Sequence, residues 1–279
     1  MTAAAFTLVL LAAALHAAWN AVVKGSGNKL FTTVLVTGSA ALLSALVLPF
    51  IGVPDRESWP YLAASIITHF GYFALVANAY RTADMSLAYP LMRGTAPILV
   101  ALIGTFFLAD YLTPLGWTSL LMLSAGILGL ALLAWRADGE RHGAGIALLN
   151  AGVIASYTLI DGAGVRLSGS PAAYTLSLFF GIGAPMTVWA FIRHGRVFVR
   201  YAQAHGRDAA LGGAGSLLSY GLVLWAMMAA PVALVAALRE TAILFAMGIS
   251  FLFLGERLGR GRLIAAGLIT AGAVALRLA

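Results

Sequence analysis

Two arginines stand inside long apolar stretches of this sequence. Arg93 lies in Ala88-Tyr89-Pro90-Leu91-Met92-Arg93-Gly94-Thr95-Ala96-Pro97, and Arg239 lies in Leu238-Arg239-Glu240-Thr241-Ala242. A charged side chain costs several kcal/mol in a hydrocarbon layer, so it faces a protein interior, finds a partner and marks a pathway. The guanidinium fork matches a carboxylate through two parallel hydrogen bonds, so the chemistry expected here is recognition of an anionic group. Arg93 falls about eight residues into its stretch, or ~12 Å at 1.5 Å per residue, too deep for easy snorkelling. Tyr89 stands one turn before it, and Pro90 and Pro97 bracket it. Proline frees backbone carbonyls and bends a helix, so a bend is expected at this point. Arg239 and Glu240 are adjacent, about 100° apart on a continuous helix, so they should not both address one partner.

Other polar residues recur at helical spacing. His16, Asn20 and Lys24 repeat every four residues with Trp19 beside them, which makes either a polar packing seam or a cavity wall, with Lys24 snorkelling to the interface. His69 and Tyr72 lie near one face, with Tyr80 towards the end of the same stretch, and a histidine can relay protons near neutral pH. Asn150, Tyr157 and Asp161 share a face, and Asp161 is the only acid of its stretch, placed either to pair with Arg93 or Arg239 or to exchange a proton. Ser216, Ser219, Tyr220 and Trp225 suggest a further lined face. The substrate-binding set is therefore Arg93, Arg239, Tyr89, Trp19, Asn20, Tyr157 and Tyr220. The coupling or ion-pair set is Glu240, Asp161, His16 and His69. No catalytic set, metal site or cofactor is expected. The sequence has no Walker A loop, no H-E-x-x-H pair and no G-x-S-x-G elbow, so any pumping must use a gradient. The acids Asp55, Glu57, Asp138 and Glu140 read as solvated loop charges.

The elements that must position these residues follow from composition. Of 279 residues, 61% are hydrophobic and 10% charged, and the mean hydropathy is +0.94. A soluble domain would be about 25% charged. Apolar runs of about 20 residues, enough to cross a ~30 Å hydrocarbon core, follow one another closely. The fold class is an all-α polytopic membrane protein. Ten spans are expected at Ala3–Val23, Leu30–Ile51, Pro60–Tyr80, Met85–Leu108, Leu115–Trp135, Gly145–Val165, Ala172–Ile192, Ala209–Ala229, Val232–Leu254 and Arg262–Leu278. The first is read as a retained helix, because it lacks the basic start of a signal peptide. Cysteine is absent, which removes disulfides and thiolate chemistry. The formal charge of +7 is scattered over short loops, which points to topological anchoring and away from nucleic acid.

At an offset of 146 residues, Arg93, Thr95 and Ala96 fall on Arg239, Thr241 and Ala242 without a gap. Phe107-Leu108-Ala109-Asp110-Tyr111-Leu112 falls on Phe253-Leu254-Gly255-Glu256-Arg257-Leu258, and Ala125-Gly126 on Ala271-Gly272. Duplication gives two five-helix halves, residues 1–137 and 143–279. Five is odd, so the second copy enters the membrane inverted, an arrangement whose substrate site lies near the midplane between the halves. One side of the membrane collects 12 lysines and arginines and the other 3, so the positive-inside rule places both termini outside.

The repeated turn, Leu108-Ala109-Asp110-Tyr111-Leu112 and Leu254-Gly255-Glu256-Arg257-Leu258, resembles the L-G-E-R-L turn that ends each half in the EamA branch of the drug/metabolite transporter superfamily. The resemblance spans essentially the whole chain, with the first copy degenerate at Asp110 and Tyr111. Trp19-Asn20 is similar to the family's W-x-x-N region, with the two residues adjacent here. The resemblance implies transport of metabolites or other small solutes and, in many members, cytoplasmic termini, against the charge count. Two transport readings stay open. One is gradient-driven export of small polar or zwitterionic metabolites such as amino acids. The other is efflux of lipophilic cations, although the superfamily's small multidrug members use a first-helix glutamate and this first helix has no acid. A non-transporting membrane enzyme or structural subunit is the third class. The expected setting is a bacterial-type inner membrane, with lipid and a small metabolite as partners, as a monomer or homodimer, and with proton coupling open.

Overall fold

The computed structural model describes residues 1–24, 27–82, 84–138, 143–254 and 259–279, without the side chains of 21–24, 80, 82, 137–138 and 253–254. The expected positions of Lys24, Tyr80, Asp138, Glu140 and the Gly255-to-Leu258 turn therefore lie outside the described residues or side chains. The described chain is helical: α1 (Ala3–Lys24), α2 (Lys29–Ile51), a short 3-10 turn (Arg56–Ser58), α3 (Trp59–Thr82), α4 (Met85–Phe107), α5 (Pro114–Asp138), α6 (Ala144–Arg166), α7 (Pro171–Met227), α8 (Val232–Arg239), α9 (Ala242–Leu254) and α10 (Arg260–Leu278).

Nine helical stretches among the described residues are long and apolar enough to cross a membrane, counting α8 and α9 as one. α7 has 57 residues, roughly 85 Å at 1.5 Å per residue, far beyond one crossing. It turns back at Gly195, whose φ of 49° and ψ of −125° leave the helical region. Both arms of α7 lie on α2: Gly183 of the first sits against Thr37, and Gly213 of the second against Val36 and Ala40. With the two arms of α7 counted separately, the described residues fit ten crossings. The basic stretch from Arg196 to Arg207 is helix, where a loop was expected between the seventh and eighth spans. Arg277 Nη1 donates to the Met1 carbonyl at 2.7 Å, so both ends of the described chain meet on one side of the bundle.

Local chemistry fixes where helices begin. Asn28 accepts from the Phe31 amide at 3.0 Å and Ser170 from the Ala173 amide at 3.2 Å, just before Pro171 at the first turn of α7. Asp84 accepts from the Ser86 amide at 2.7 Å, and this bond holds its exposed carboxyl below the usual carboxylate range.

Packing follows from small residues. A Cβ on Gly272 would stand 2.7 Å from the Leu123 backbone nitrogen, and one on Gly126 2.8 Å from Ile269 Cγ1, so α5 and α10 approach as closely as two glycines allow. The helices pack most extensively as α2 on α7 and α5 on α10, with α4 also meeting α8. Large apolar side chains such as Phe50, Phe106 and Leu252 are exposed, as expected of a surface that meets lipid.

One expectation is corrected: the ninth span, expected as one helix, breaks into α8 and α9, whereas α4 continues as helix through Pro90 and Pro97. At the break the backbone changes to shorter bonds: Glu240 N–H donates to Ala237 O, Thr241 N–H to Leu238 O and Ile243 N–H to Glu240 O, each at 3.0–3.1 Å. The Thr241 hydroxyl also takes the Leu238 carbonyl, at 2.7 Å. Such tightening of one turn changes the helical rotation per residue and re-aims the side chains on either side.

One end of the bundle is tied by an ion pair. Arg166, at the end of α6, meets Asp110 in a bidentate pair at 3.0 and 3.1 Å and also donates to the carbonyls of Met227 and Ala230. Asp110 in turn accepts from the Val232 amide at 2.8 Å, which caps α8. The two partners lie 56 residues apart in sequence.

Candidate functional site

The break between α8 and α9 places Arg239 and Glu240 together at the centre of the bundle, facing α4. Glu240 is 2% exposed, Arg93 6% and Arg239 4%. Arg93 Nε stands 2.6 Å from Glu240 Oε2, and Arg239 Nη2 stands 3.6 Å from Glu240 Oε1. One carboxylate therefore serves two guanidinium groups, that of Arg93 across the helix interface and that of its own neighbour Arg239. The close Arg93 contact lies off the N–H axis, so Nε makes no aligned hydrogen bond. Arg93 Nη2 and Arg239 Nε are likewise buried without a partner.

Aromatic rings surround the arginines. The Arg93 guanidinium lies 5.9 Å from the centre of the Tyr89 ring, and that of Arg239 lies 5.9 Å from the centre of the Tyr220 ring. From Tyr220 the cluster continues to His69, edge to face at 6.2 Å. His69 lies against Tyr157 at 4.2 Å, and Tyr157 meets Tyr72 at 5.8 Å. His69 Nδ1 is held within its own helix by the Ser65 carbonyl at 2.9 Å. His16 lies in the field of both Arg93 and Arg239.

Asp161 is fully buried, but it does not pair with either arginine. The Tyr174 hydroxyl donates to its Oδ1 at 2.9 Å and the Tyr220 hydroxyl to its Oδ2 at 2.5 Å. The Ser65 hydroxyl stands instead 3.2 Å from His69 Nδ1. Of the face shared with Tyr157, Asn150 turns to α4, where its Nδ2 meets Met92 Sδ at 3.0 Å.

The remaining expected residues stand aside. Trp19 packs edge to face on His16 at 5.2 Å, with its ring nitrogen buried and unpartnered. Asn20 donates its amide to the His16 carbonyl at 2.8 Å. Ser219 joins helices by donating to the Ala12 carbonyl at 2.7 Å, and Trp225, expected on a lined face, is 62% exposed on the outer surface. Sequence reasoning missed Tyr174, an aromatic with no polar neighbour pattern in α7. A fully buried tyrosine needs a partner for its hydroxyl, but nothing in its own stretch indicates which.

The arrangement offers two linked poles: an arginine pole with spare donors for an anionic group, and an aromatic pole backed by a carboxylate. No group of three or more metal-binding side chains occurs among the described residues.

Among known proteins, the model of the EamA-like transporter family matches residues 141–278. No curated protein matches the chain. Among solved structures 29 chains match. One, described only as "Crystal structure of protein", aligns with 99% of this chain and 97% of its own at a TM-score of 0.74 and 21% identity, a likeness of fold. With the family pattern along its second half, and helices that fit ten membrane crossings, the chain belongs to the EamA-like transporter family of the drug/metabolite transporter superfamily.

Proposed function

We propose that this protein is a gradient-driven secondary transporter that exports small zwitterionic metabolites, of which amino acids are the representative class, across a bacterial-type inner membrane. The observation that carries this reading is the unequal charge of the central cluster: Arg93 and Arg239 share the single carboxylate of Glu240, and Arg93 Nη2 and Arg239 Nε stay buried without a partner. An unsatisfied buried donor costs about 1–3 kcal/mol, more if charged, and a substrate carboxylate between the arginines recovers that cost. The rings of Tyr72, Tyr157 and Tyr220 supply faces for an ammonium group or an apolar side chain. Glu240 leaves room for one further negative charge, so a carboxylate fits and a free lipophilic cation at this pole does not. The halves 1–137 and 143–279 act as inverted repeats that expose the site alternately to the two membrane faces.

The test is a thermal-stability screen of the purified carrier against amino acids, sugars and quaternary ammonium compounds, followed by counterflow in liposomes with the compound that stabilises most. Stabilisation and counterflow by an amino acid are expected. Flux of quaternary ammonium compounds with no response to any amino acid overturns the reading.

A further inference from the structure

Asp161 is a fully buried carboxylate with no cationic partner within ion-pair distance among the described side chains. An isolated ionised carboxylate in the membrane interior is expensive. Its surroundings do not relieve that cost with a fixed cation. They offer hydroxyl donors from Tyr174 and Tyr220, on the two arms of α7. The titratable and charged groups that face it are His69 from α3 and those two tyrosines, with Arg239 of α8 behind the Tyr220 ring and Tyr157 one turn away on α6 itself. The positions around Asp161 therefore suit a group that takes a positive charge temporarily.

Resting on the zwitterion reading above, we propose that Asp161 is a proton-binding site at which a proton and the substrate's ammonium group exclude each other, with Tyr220 joining it to the arginine pole. When the carboxylate is ionised, both oxygens accept hydroxyl bonds, and an ammonium group among the rings neutralises it. When the ammonium leaves, one proton from water binds Oδ2, and the Tyr220 hydroxyl changes from donor to acceptor there. The reverse step returns that proton to water as the ammonium enters. Both loaded states leave the carboxylate neutralised, whereas the empty ionised state pays the full cost of burial, so the carrier changes sides loaded and exchanges proton for substrate. Tyr220 acts as a positioning residue. Its hydroxyl reads the state of Asp161, while its ring lies against Arg239.

Infrared spectroscopy of the purified full chain tests this directly. A protonated-carboxyl band should appear as pH falls, disappear in Asp161→Asn, and shift in Tyr220→Phe, which keeps the ring but removes the hydroxyl. At a pH where the band is present, an equimolar mixture of the twenty standard amino acids should abolish it, with release of a proton measurable in weakly buffered solution. Persistence of the band in Asp161→Asn, or its indifference to amino acids that stabilise the wild type, overturns the proposal. If Asp161→Asn fails to fold, an unshifted band in Tyr220→Phe overturns it instead. If no amino acid stabilises the wild type, the zwitterion reading and the competition fall together, and the proton site stands or falls on the band alone.

Discussion

Glu240 sits between two guanidinium groups at unequal distances, and this inequality separates the roles of the two arginines. Arg93 makes the close contact at 2.6 Å, whereas Arg239 stands off at 3.6 Å. Removing one member of a close buried pair leaves an uncompensated charge and costs about 3–5 kcal/mol. Arg93→Met should therefore lower the thermal stability of the purified carrier sharply and reduce its accumulation in the membrane. Arg239→Met leaves the close pair in place, so it should remain folded while the affinity for a stabilising amino acid falls at least about tenfold, or about 1.4 kcal/mol. Equal loss of stability in both variants would show that both arginines serve only to hold the halves together. At this scale the sequence showed which residues are costly to bury, because charge type and depth are local properties. It did not show that Asp161 bonds to tyrosines, since Tyr174 and Tyr220 lie 13 and 59 positions away from it.

The elements that bring these residues together depend on two interruptions. At Gly195 the backbone adopts a positive φ with ψ of −125°, a region that costs an L side chain about 1–3 kcal/mol. Gly195→Ala should lower stability by that amount in a thermal melt, while substitution of neighbouring Gly206, which has open space around its Cβ position and an ordinary φ, should cost no more than the usual helical change. At the other end of the bundle, Asp110 holds Arg166 and caps α8 together. Asp110→Asn keeps the shape and removes the charge, so a loss of about 1–3 kcal/mol is expected, and the α7–α8 junction should exchange its backbone amides faster in hydrogen-exchange measurements. Unchanged exchange at Val232 would show that the cap does not secure the junction. Most helix positions were legible from the apolar periods, whereas the helix that carries Arg196 to Arg207 was not, because its polar composition reads as a loop. The α8–α9 break was not legible, because Arg239-Glu240-Thr241 contains neither proline nor glycine. Pro90 and Pro97, by contrast, lie inside a helix that continues through both.

For the whole molecule, the charge asymmetry makes a topological statement that labelling can check. The exposed arginines at 193, 196, 200 and 207 gather at one end of the bundle, and Glu57 lies in the short connection at the other. The positive-inside rule puts the arginine end in the cytoplasm. The chain contains no cysteine, so single introduced cysteines give a clean background. In intact spheroplasts, a membrane-impermeant thiol reagent should label Glu57→Cys and spare Gln203→Cys until the membrane is permeabilised; the opposite pattern would place the termini inside, as in many relatives. The sequence by itself determined that the chain lives in a membrane, roughly where most of its spans run, and that Arg93 and Arg239 are costly buried charges, because hydropathy, period and charge are written along the chain. Only the tertiary structure decided that both arginines share Glu240 and that Asp161 turns to tyrosines, because partner choice is made between helices distant in sequence and no local pattern encodes it.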